Sequence, residues 1–307
     1  MRTLHHHNGH HGWDRDLTPQ VELAPGDTVE VELSDCFGGQ LGASATGAHV
    51  AAIDLDLANP LTGPIRLDGA RPGDALGVEL VDVAVGPVGW TTLLPGFGLL
   101  ADDFPDPYVV VSSIGADHVE VGGVARLATA PFLGTVGVAP AAAGPHSVIP
   151  PRRVGGNLDC RDVRRGAVLW LPVEVEGALL SAGDPHAAQG DGEVCGTAVE
   201  TTATAQLRLH LRPGAAPPAP WLQLPAGGAV TARPGGERVV TTGVAPDLLA
   251  GARDATRAMI EHLTTTRGLD PRDAYVVCSV AGDLRIAEVV DAPNWVVVMD
   301  VDLGVLV

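Results

Sequence analysis

Apolar and polar residues alternate in short runs over the first two thirds of the chain, and glycine and proline break the runs. Val21 to Leu33 reads VELAPGDTVEVEL, with alternation on both sides of a Pro-Gly-Asp turn. A period of two puts the apolar side chains on one face of a strand. Two such runs around a turn predict a hairpin. Asn59 to Val85 repeats the theme with the turn-rich NPLTGP, the short strand IRLDG, a second Pro-Gly-Asp and then ALGVELVDVAV. Further strands are predicted at YVVVSSI and HVEVGGVARL between Tyr108 and Leu127, and at TATAQLRLHL after Glu200. Trp90 to Asp106 (WTTLLPGFGLLADDFPD) shows little alternation and much Gly and Pro, so it reads as a long loop of the kind that serves as a lid or binding loop. From Pro131 through AAAGPHSVIPPRR, prolines rule out continuous helix.

The period changes beyond Val239. Between Pro246 and Arg267, Leu248, Ala252, Ala255, Met259 and Leu263 recur at three- and four-residue steps, which predicts a helix. Asp270-Pro271 has the form of an N-cap followed by proline in the first turn, and WVVVMDVDLGVLV reads as a closing strand. The tract RPGAAPPAPW is the candidate boundary. It divides a β-rich core, residues 1–212, carrying most of the site, from an α+β C-terminal subdomain, residues 213–307. The expected fold class is α+β, predominantly β, with a β-sandwich or barrel-like core. Regular βα alternation and a Gly-rich phosphate loop are both missing, which excludes a doubly wound nucleotide fold.

Composition narrows the function. With 307 residues, 46% apolar and 18% charged, the chain can bury a substantial core. A net charge of −18 argues against a nucleic-acid surface, since a polyanion would be repelled. No apolar run approaches the roughly 20 residues of a membrane-spanning helix, and MRTLHHHNGHHGWD lacks the apolar stretch of a signal peptide. The expectation is a cytoplasmic protein with no membrane partner, its HHHNGHH segment a flexible polar arm. Cys36, Cys160, Cys195 and Cys278 are far apart with no CxxC pair, so they read as reduced and mostly buried thiols.

Candidate chemistry concentrates between Gly155 and Glu200. Asp159, Asp184, His186, Asp191 and Glu193 lie there among glycines and apolar strand-like segments. Such groups are costly to hold in apolar surroundings unless they bind something or react. Asp184 and His186, two apart at the end of an apolar strand, point to one face. Gly183, Gly190 and Gly192 leave room for a ligand to approach. Any single acid in GDGE could instead be a solvated turn residue. Asp35-Cys36-Phe37 ends an earlier strand at a Gly-rich loop. Spacing leaves Asp35 as loop cap or ligand. Cys36 has no histidine nearby in sequence, which favours a pocket wall over a nucleophile. Gly155-Gly156-Asn157 reads as backbone donors for an oxyanion or as a tight turn.

GGNLD, LWLPVEVEGALLSAGD and PHAAQGDGEVCGTAVE closely resemble the acetamidase/formamidase family. The likeness runs in order through PGDTVEVELSDCFGGQL, NPLTGPIRLDGARPGDAL, PFLGTVGVAP and AYVVCSVAGDLRIAEVVD, and it is nearest the shorter acetamidase branch. The resemblance implies hydrolysis of short aliphatic amides, acetamide or formamide, to carboxylate and ammonia. It also implies a bound metal. The chain contains no lysine. That excludes the Ser-Ser-Lys machinery of amidase-signature enzymes and the Glu-Lys-Cys triad of nitrilase-like enzymes, because arginine cannot be deprotonated to replace lysine.

The expected cofactor is a divalent metal, zinc for a mixed O and N ligand set with calcium as the alternative. Its expected ligands are Asp159, Asp184 and His186, with Asp35 added by the resemblance. Glu193 is the expected general base and acid, and Asp191 the second catalytic carboxylate or an alternative ligand. Cys36, Phe37, Asn157, Gly183, Gly190 and Gly192 are the expected substrate surface. The expected partners are a small amide and further copies of the chain, a homodimer first. The competing reading is a non-catalytic β-rich protein whose acids hold calcium for structure.

Overall fold

A computed structural model describes residues 1–226 and 236–306. It is predominantly β, and a nine-stranded and a five-stranded sheet share one apolar core. Val29, Val78, Leu169 and Leu207 enter that core from the larger sheet, and Ile65, Val136 and Leu180 from the smaller. Alternation works as expected in Thr28–Leu33, where Val29, Val31 and Leu33 are buried between half-buried polar residues. Two strands of the smaller sheet, Phe132–Val138 and Leu180–His186, are instead buried along their whole length. They are central strands, with core on one face and the candidate site at the end of the other.

The two Pro-Gly-Asp turns are not hairpins. Val21–Leu23 pairs in parallel with Leu61–Leu67 in the five-stranded sheet, whereas Thr28–Leu33 pairs with Ala203–Arg212 in the nine-stranded one. The second turn does the same, between Leu61–Leu67 and Ala75–Val85. Each turn folds the chain over the core so that both strands point their apolar faces inward from opposite sheets. A hairpin has the same local alternation but keeps both strands in one sheet. Long-range pairing made the choice.

A third sheet comprises Val88–Leu93, Tyr108–Ile114, His118–Val121 and Ala125–Ala128. The stretch expected as one long loop therefore begins as a strand, and only its later part is loop. The N-terminal histidines are not a free arm either. Arg2–Leu4 pairs in parallel with Thr28–Leu33, and His5 Nδ1 lies 2.8 Å from a Glu32 carboxylate oxygen. Gly155–Asn157 forms neither a turn nor an open donor nest, since it is a short strand paired with Thr135–Gly137.

Past the Pro-Ala tract, Trp221–Leu224 pairs with Val168–Pro172, so the nine-stranded sheet continues into the C-terminal strands Arg238–Ala245, Trp295–Asp302 and Gly282–Glu288. Helix Leu248–Arg267 lies on it, capped by the Asp247 side chain and ended by Gly268 in the left-handed region. Ala255, Met259 and Leu263 pack there with Val239, Met299 and Val301 in a second apolar cluster. Helix Pro271–Ala281 starts at the Asp270 cap. No helix among the described residues is long and apolar enough to cross a membrane.

Candidate active site

Strand Leu180–His186 delivers Asp184 and His186 to one place. The His186 Nε2 atom lies 3.1 Å from Asp184 Oδ1, 3.2 Å from Glu200 Oε2 and 3.9 Å from Asp159 Oδ1. Glu200 arrives because residues 187–199 leave the strand and return, and a backbone bridge pairs His186 with Glu200. A second bridge, from Glu200 to Trp90, ties this point to the third sheet. The excursion carries Glu193 into the same space, and Asp159, His186 and Glu193 offer ligand atoms within 4.8 Å of one another. Cys36, Asp184 and Glu200 form a second such group.

Packing this tight needs Gly134 on the neighbouring strand. The pairs Leu133 with Pro185 and Thr135 with Gly183 set it opposite Asp184. A Cβ at Gly134 would come 2.4 Å from Asp159 Oδ1, 2.6 Å from Asp184 Oδ2 and 2.8 Å from His186 Cε1. The backbone is forced as well. Asn59, Asp159, Asp184 and Glu193, all at the cavity wall, have φ of +46°, +40°, +55° and +46°. Non-glycine residues avoid this region at a cost of order 1–3 kcal/mol each, and such costs gather where function requires the geometry.

Gln189 settles the histidine tautomer. Its Nε2 donates to the Asp159 carbonyl at 2.7 Å, which orients the amide so that Oε1 accepts from His186 Nδ1–H at 2.9 Å. The other ring nitrogen, Nε2, faces the carboxylates. Nε2, Asp159 Oδ1, Asp184 Oδ1 and Glu200 Oε2 are all buried, and none has a hydrogen bond of good geometry. Buried polar atoms are rarely left so. Four of them converging within a few ångströms suit a cation, and an imidazole fixed by a hydrogen bond at Nδ1 is the usual metal-ligand form.

The charge balance agrees. Asp159, Asp184, Glu193, Glu200 and Asp291 line or adjoin one cavity of about 210 Å³, with one imidazole, and among the described residues no arginine lines it. Two like charges 4 Å apart repel by about 4 kcal/mol at an effective dielectric constant near 20, so five carboxylates cannot all stay ionised beside one positive ring. Burial, then repulsion from Asp159, pushes Glu193 well above the usual carboxylate range. Burial and Asp184 do the same to Asp159. Glu200 is pushed up to about 7, chiefly by burial. At Asp184 burial also acts upward, but attraction to His186 together with hydrogen bonding to His186, Glu200 and Asp159 outweighs it, and the pKa falls. At His186 burial acts downward, and the Glu200 and Asp184 carboxylates outweigh it to hold the ring well above the ordinary histidine value. A bound cation would answer the same negative charge.

The cavity walls include three residues expected there. Phe37 stacks on Trp90 with ring centroids 5.0 Å apart, Cys36 is buried, and Asn157 accepts from Asn59 Nδ2 at 3.1 Å and donates to Asp291 Oδ2 at 2.6 Å. Burial, with Glu200 and Asp184 adding to it, raises the Cys36 thiol well above its usual pKa, which opposes thiolate formation.

Five expected residues lie elsewhere. Asp35 is a loop cap: its carboxylate accepts from the N–H groups of Phe37 at 3.0 Å and Gly39 at 3.2 Å, and it stands outside both ligand groups. Asp191 turns away from the cavity into ion pairs with Arg161 at 2.8 Å and Arg285 at 3.1 Å. Gly183 serves strand contact, since a Cβ there would meet the Pro60 carbonyl at 2.7 Å. Gly190 faces open space, and Gly192 donates to the Ala287 carbonyl at 2.8 Å. None of the five lines the cavity.

Sequence reasoning missed Gly134, Gln189, Glu200 and Asp291. PFLGTVGVAP carried a signal for the first, as a glycine inside an apolar strand often marks a close approach. Glu200, an acid at the end of an apolar run, carried a weaker one.

Three comparisons bear on this arrangement. The model of the Acetamidase/Formamidase family matches residues 2–148 and 141–306. An acetamidase of Mycolicibacterium smegmatis is 30% identical over 254 residues, 61% of this chain and 62% of that protein. A formamidase of Methylophilus methylotrophus is 27% identical over 259 residues, 66% of this chain and 63% of that protein. The chain thus spans a little under two thirds of the length of these curated relatives. The crystal structure of an acetamidase from Bacillus halodurans superposes with a TM-score of 0.87 at 33% identity, covering 98% of this chain and 97% of that one.

Proposed function

The chain belongs to the acetamidase/formamidase family, and from that premise we propose that it hydrolyses short linear amides, of the acetamide and formamide kind, to a carboxylate and ammonia. The observation that carries the reading is the convergence of Asp159, Asp184, Glu193, Glu200 and His186 on one small cavity. At about 210 Å³ that cavity is smaller than the roughly 300–1,000 Å³ typical of pockets for drug-sized ligands. A substrate of a few heavy atoms suits it.

Asp159, Asp184 and His186 would hold a divalent cation, with Glu200 completing the set. Their oxygen and nitrogen donors favour zinc, with calcium the alternative. A cation bound there supplies Lewis acidity and makes water a better nucleophile near neutral pH. Glu193 is the proton carrier in this scheme: its carboxylate takes a proton as water adds to the amide carbon, and its carboxylic acid returns it to the departing nitrogen. A carboxyl whose pKa is raised can do both near neutral pH. Gln189 holds His186 in one tautomer, and the Phe37 face and Ile149 offer apolar contact for a short acyl group. Cys36 stays protonated, which supports a water nucleophile over a thiolate.

Ammonia release from acetamide and formamide, measured for the wild type and Glu193→Gln, tests the proposal. Turnover by the wild type and a loss of about 100-fold or more in a folded Glu193→Gln is the expected result, general acid–base groups being worth roughly 10²–10⁴-fold. A protein that keeps a metal but releases no ammonia from either amide would instead be a metal-binding module.

A further inference from the structure

Phe97 stands between two spaces. On one side is the 210 Å³ cavity with its carboxylates, and on the other an open apolar groove of about 370 Å³. The groove is lined by Leu99, Leu100, Phe104 and Val194, each more than half exposed. Phe97 lines both. Its ring sits against Gly196, where a Cβ would come 2.4 Å from the ring Cδ1 and where φ is +93°. The wall is braced from behind: Leu99 N–H donates to the Val194 carbonyl at 2.9 Å, and a Cβ on Gly98 would meet the Cys195 carbonyl at 2.8 Å. Phe97 N–H closes a turn onto the Leu94 carbonyl at 3.0 Å. The ring therefore rests on Gly196 while the backbone on either side of it is tied down, and Phe97 stands between the carboxylate-lined cavity and an apolar surface able to take an alkyl tail.

We propose that Phe97 is the specificity-determining residue for acyl-chain length, its ring closing the cavity against the groove so that only short amides fit. The proposal rests on the amide-hydrolase reading of the cavity. Removing the ring joins the two spaces. The tail of a six-carbon amide then runs over Leu99, Leu100 and Phe104 while its amide group occupies the cavity. Phe97 carries no titratable group and takes part in no proton transfer.

The test compares kcat/KM for acetamide, butyramide and hexanamide in the wild type, Phe97→Ala and Phe104→Ala, with calorimetric titration of hexanamide into each protein. Phe97→Ala should raise the hexanamide-to-acetamide ratio by about tenfold or more, mainly through a lower KM for the long amide, since one methylene in a pocket is already worth roughly 10–200-fold. Phe104→Ala, which changes only the groove, should leave the wild-type ratio in place. A folded Phe97→Ala with the wild-type ratio and wild-type hexanamide affinity overturns the proposal. If alanine unfolds the loop, Phe97→Leu makes the same comparison with a smaller expected shift. A wild type that turns over no amide would refute the hydrolase reading alone. Calorimetry would still decide about Phe97, because equal hexanamide affinity in both proteins would refute its role and tighter binding in Phe97→Ala would sustain it.

Discussion

Gly134→Ala adds one methyl group and replaces no group that binds or reacts. The Gly134 backbone is not in the left-handed region, so alanine meets no φ penalty there. The whole effect falls on the site, because the new Cβ would stand 2.4 Å from Asp159 Oδ1 and 2.6 Å from Asp184 Oδ2. Ordinary contacts between non-bonded atoms are about 3.5–4.0 Å, so at least one carboxylate must retreat by about 1 Å. Misplacement of about 1 Å is enough to cost roughly 100-fold in rate, equivalent to about 2.7 kcal/mol in the activation barrier. Overpacking adds about 1–3 kcal/mol of lost stability. Ammonia release from acetamide, read beside a thermal melt, separates the two effects, and Gly190→Ala, which adds its methyl to open space, is the control. Activity down about 100-fold with a melt still cooperative is expected for Gly134→Ala, and activity near wild type for Gly190→Ala. A Gly134→Ala enzyme within threefold of wild type would refute the claim that these carboxylates act as a closely held unit.

Asp191→Asn should keep most of the wild-type turnover on acetamide while lowering stability by about 1–3 kcal/mol, through loss of charge-assisted bonds to Arg161 and Arg285. A rate loss matching that of Glu193→Gln would return Asp191 to the chemistry. Cys36→Ala should retain measurable ammonia release, and complete inactivation of a folded variant would point to a thiol nucleophile instead. His262 gives a pH signature remote from the cavity. Burial against Trp221, with Arg267 and Arg212 adding to it, pulls its pKa down to about 4, against an unperturbed 6.5. Above pH 6.5 the ring is neutral in both folded and unfolded chains. Between 6.5 and 4 only the unfolded chain takes the proton, so this contribution to stability falls as pH falls through that window. Urea melts of wild type and His262→Gln should therefore converge from pH 7 to pH 4, and a constant difference would contradict the assignment.

The sequence made legible what period and short spacing encode. Asp184 and His186 sit two apart on an apolar strand and do meet, and the helix from Leu248 follows its three- and four-residue steps. Pairing partners were not encoded locally. VELAPGDTVEVEL has the alternation of a hairpin and of a crossing between sheets alike, and only the distant strand Ala203–Arg212 selects the crossing. The acids divided for the same reason. Asp191 and Glu193 are two apart in GDGE, yet Arg161 and Arg285, 30 and 94 residues away, draw Asp191 outward while Glu193 turns into the cavity. Asp35 went to the N–H groups of its own loop, a contact that a residue of this type makes as readily as a metal bond. Glu200 and Asp291 reach the cavity only when the chain between distant strands closes, and nothing adjacent to them in sequence announces it.

The proposed chemistry depends on the buried carboxylates and His186 gripping a cation together. Calorimetric titration of zinc into chelator-stripped protein, run beside His186→Gln, tests this most directly. One ion per wild-type chain and affinity weakened about 100-fold or more in the variant is the predicted outcome, since even the partners that orient a ligand are worth 10–100-fold. Absence of binding by the wild type, or equal affinity in His186→Gln, would contradict it.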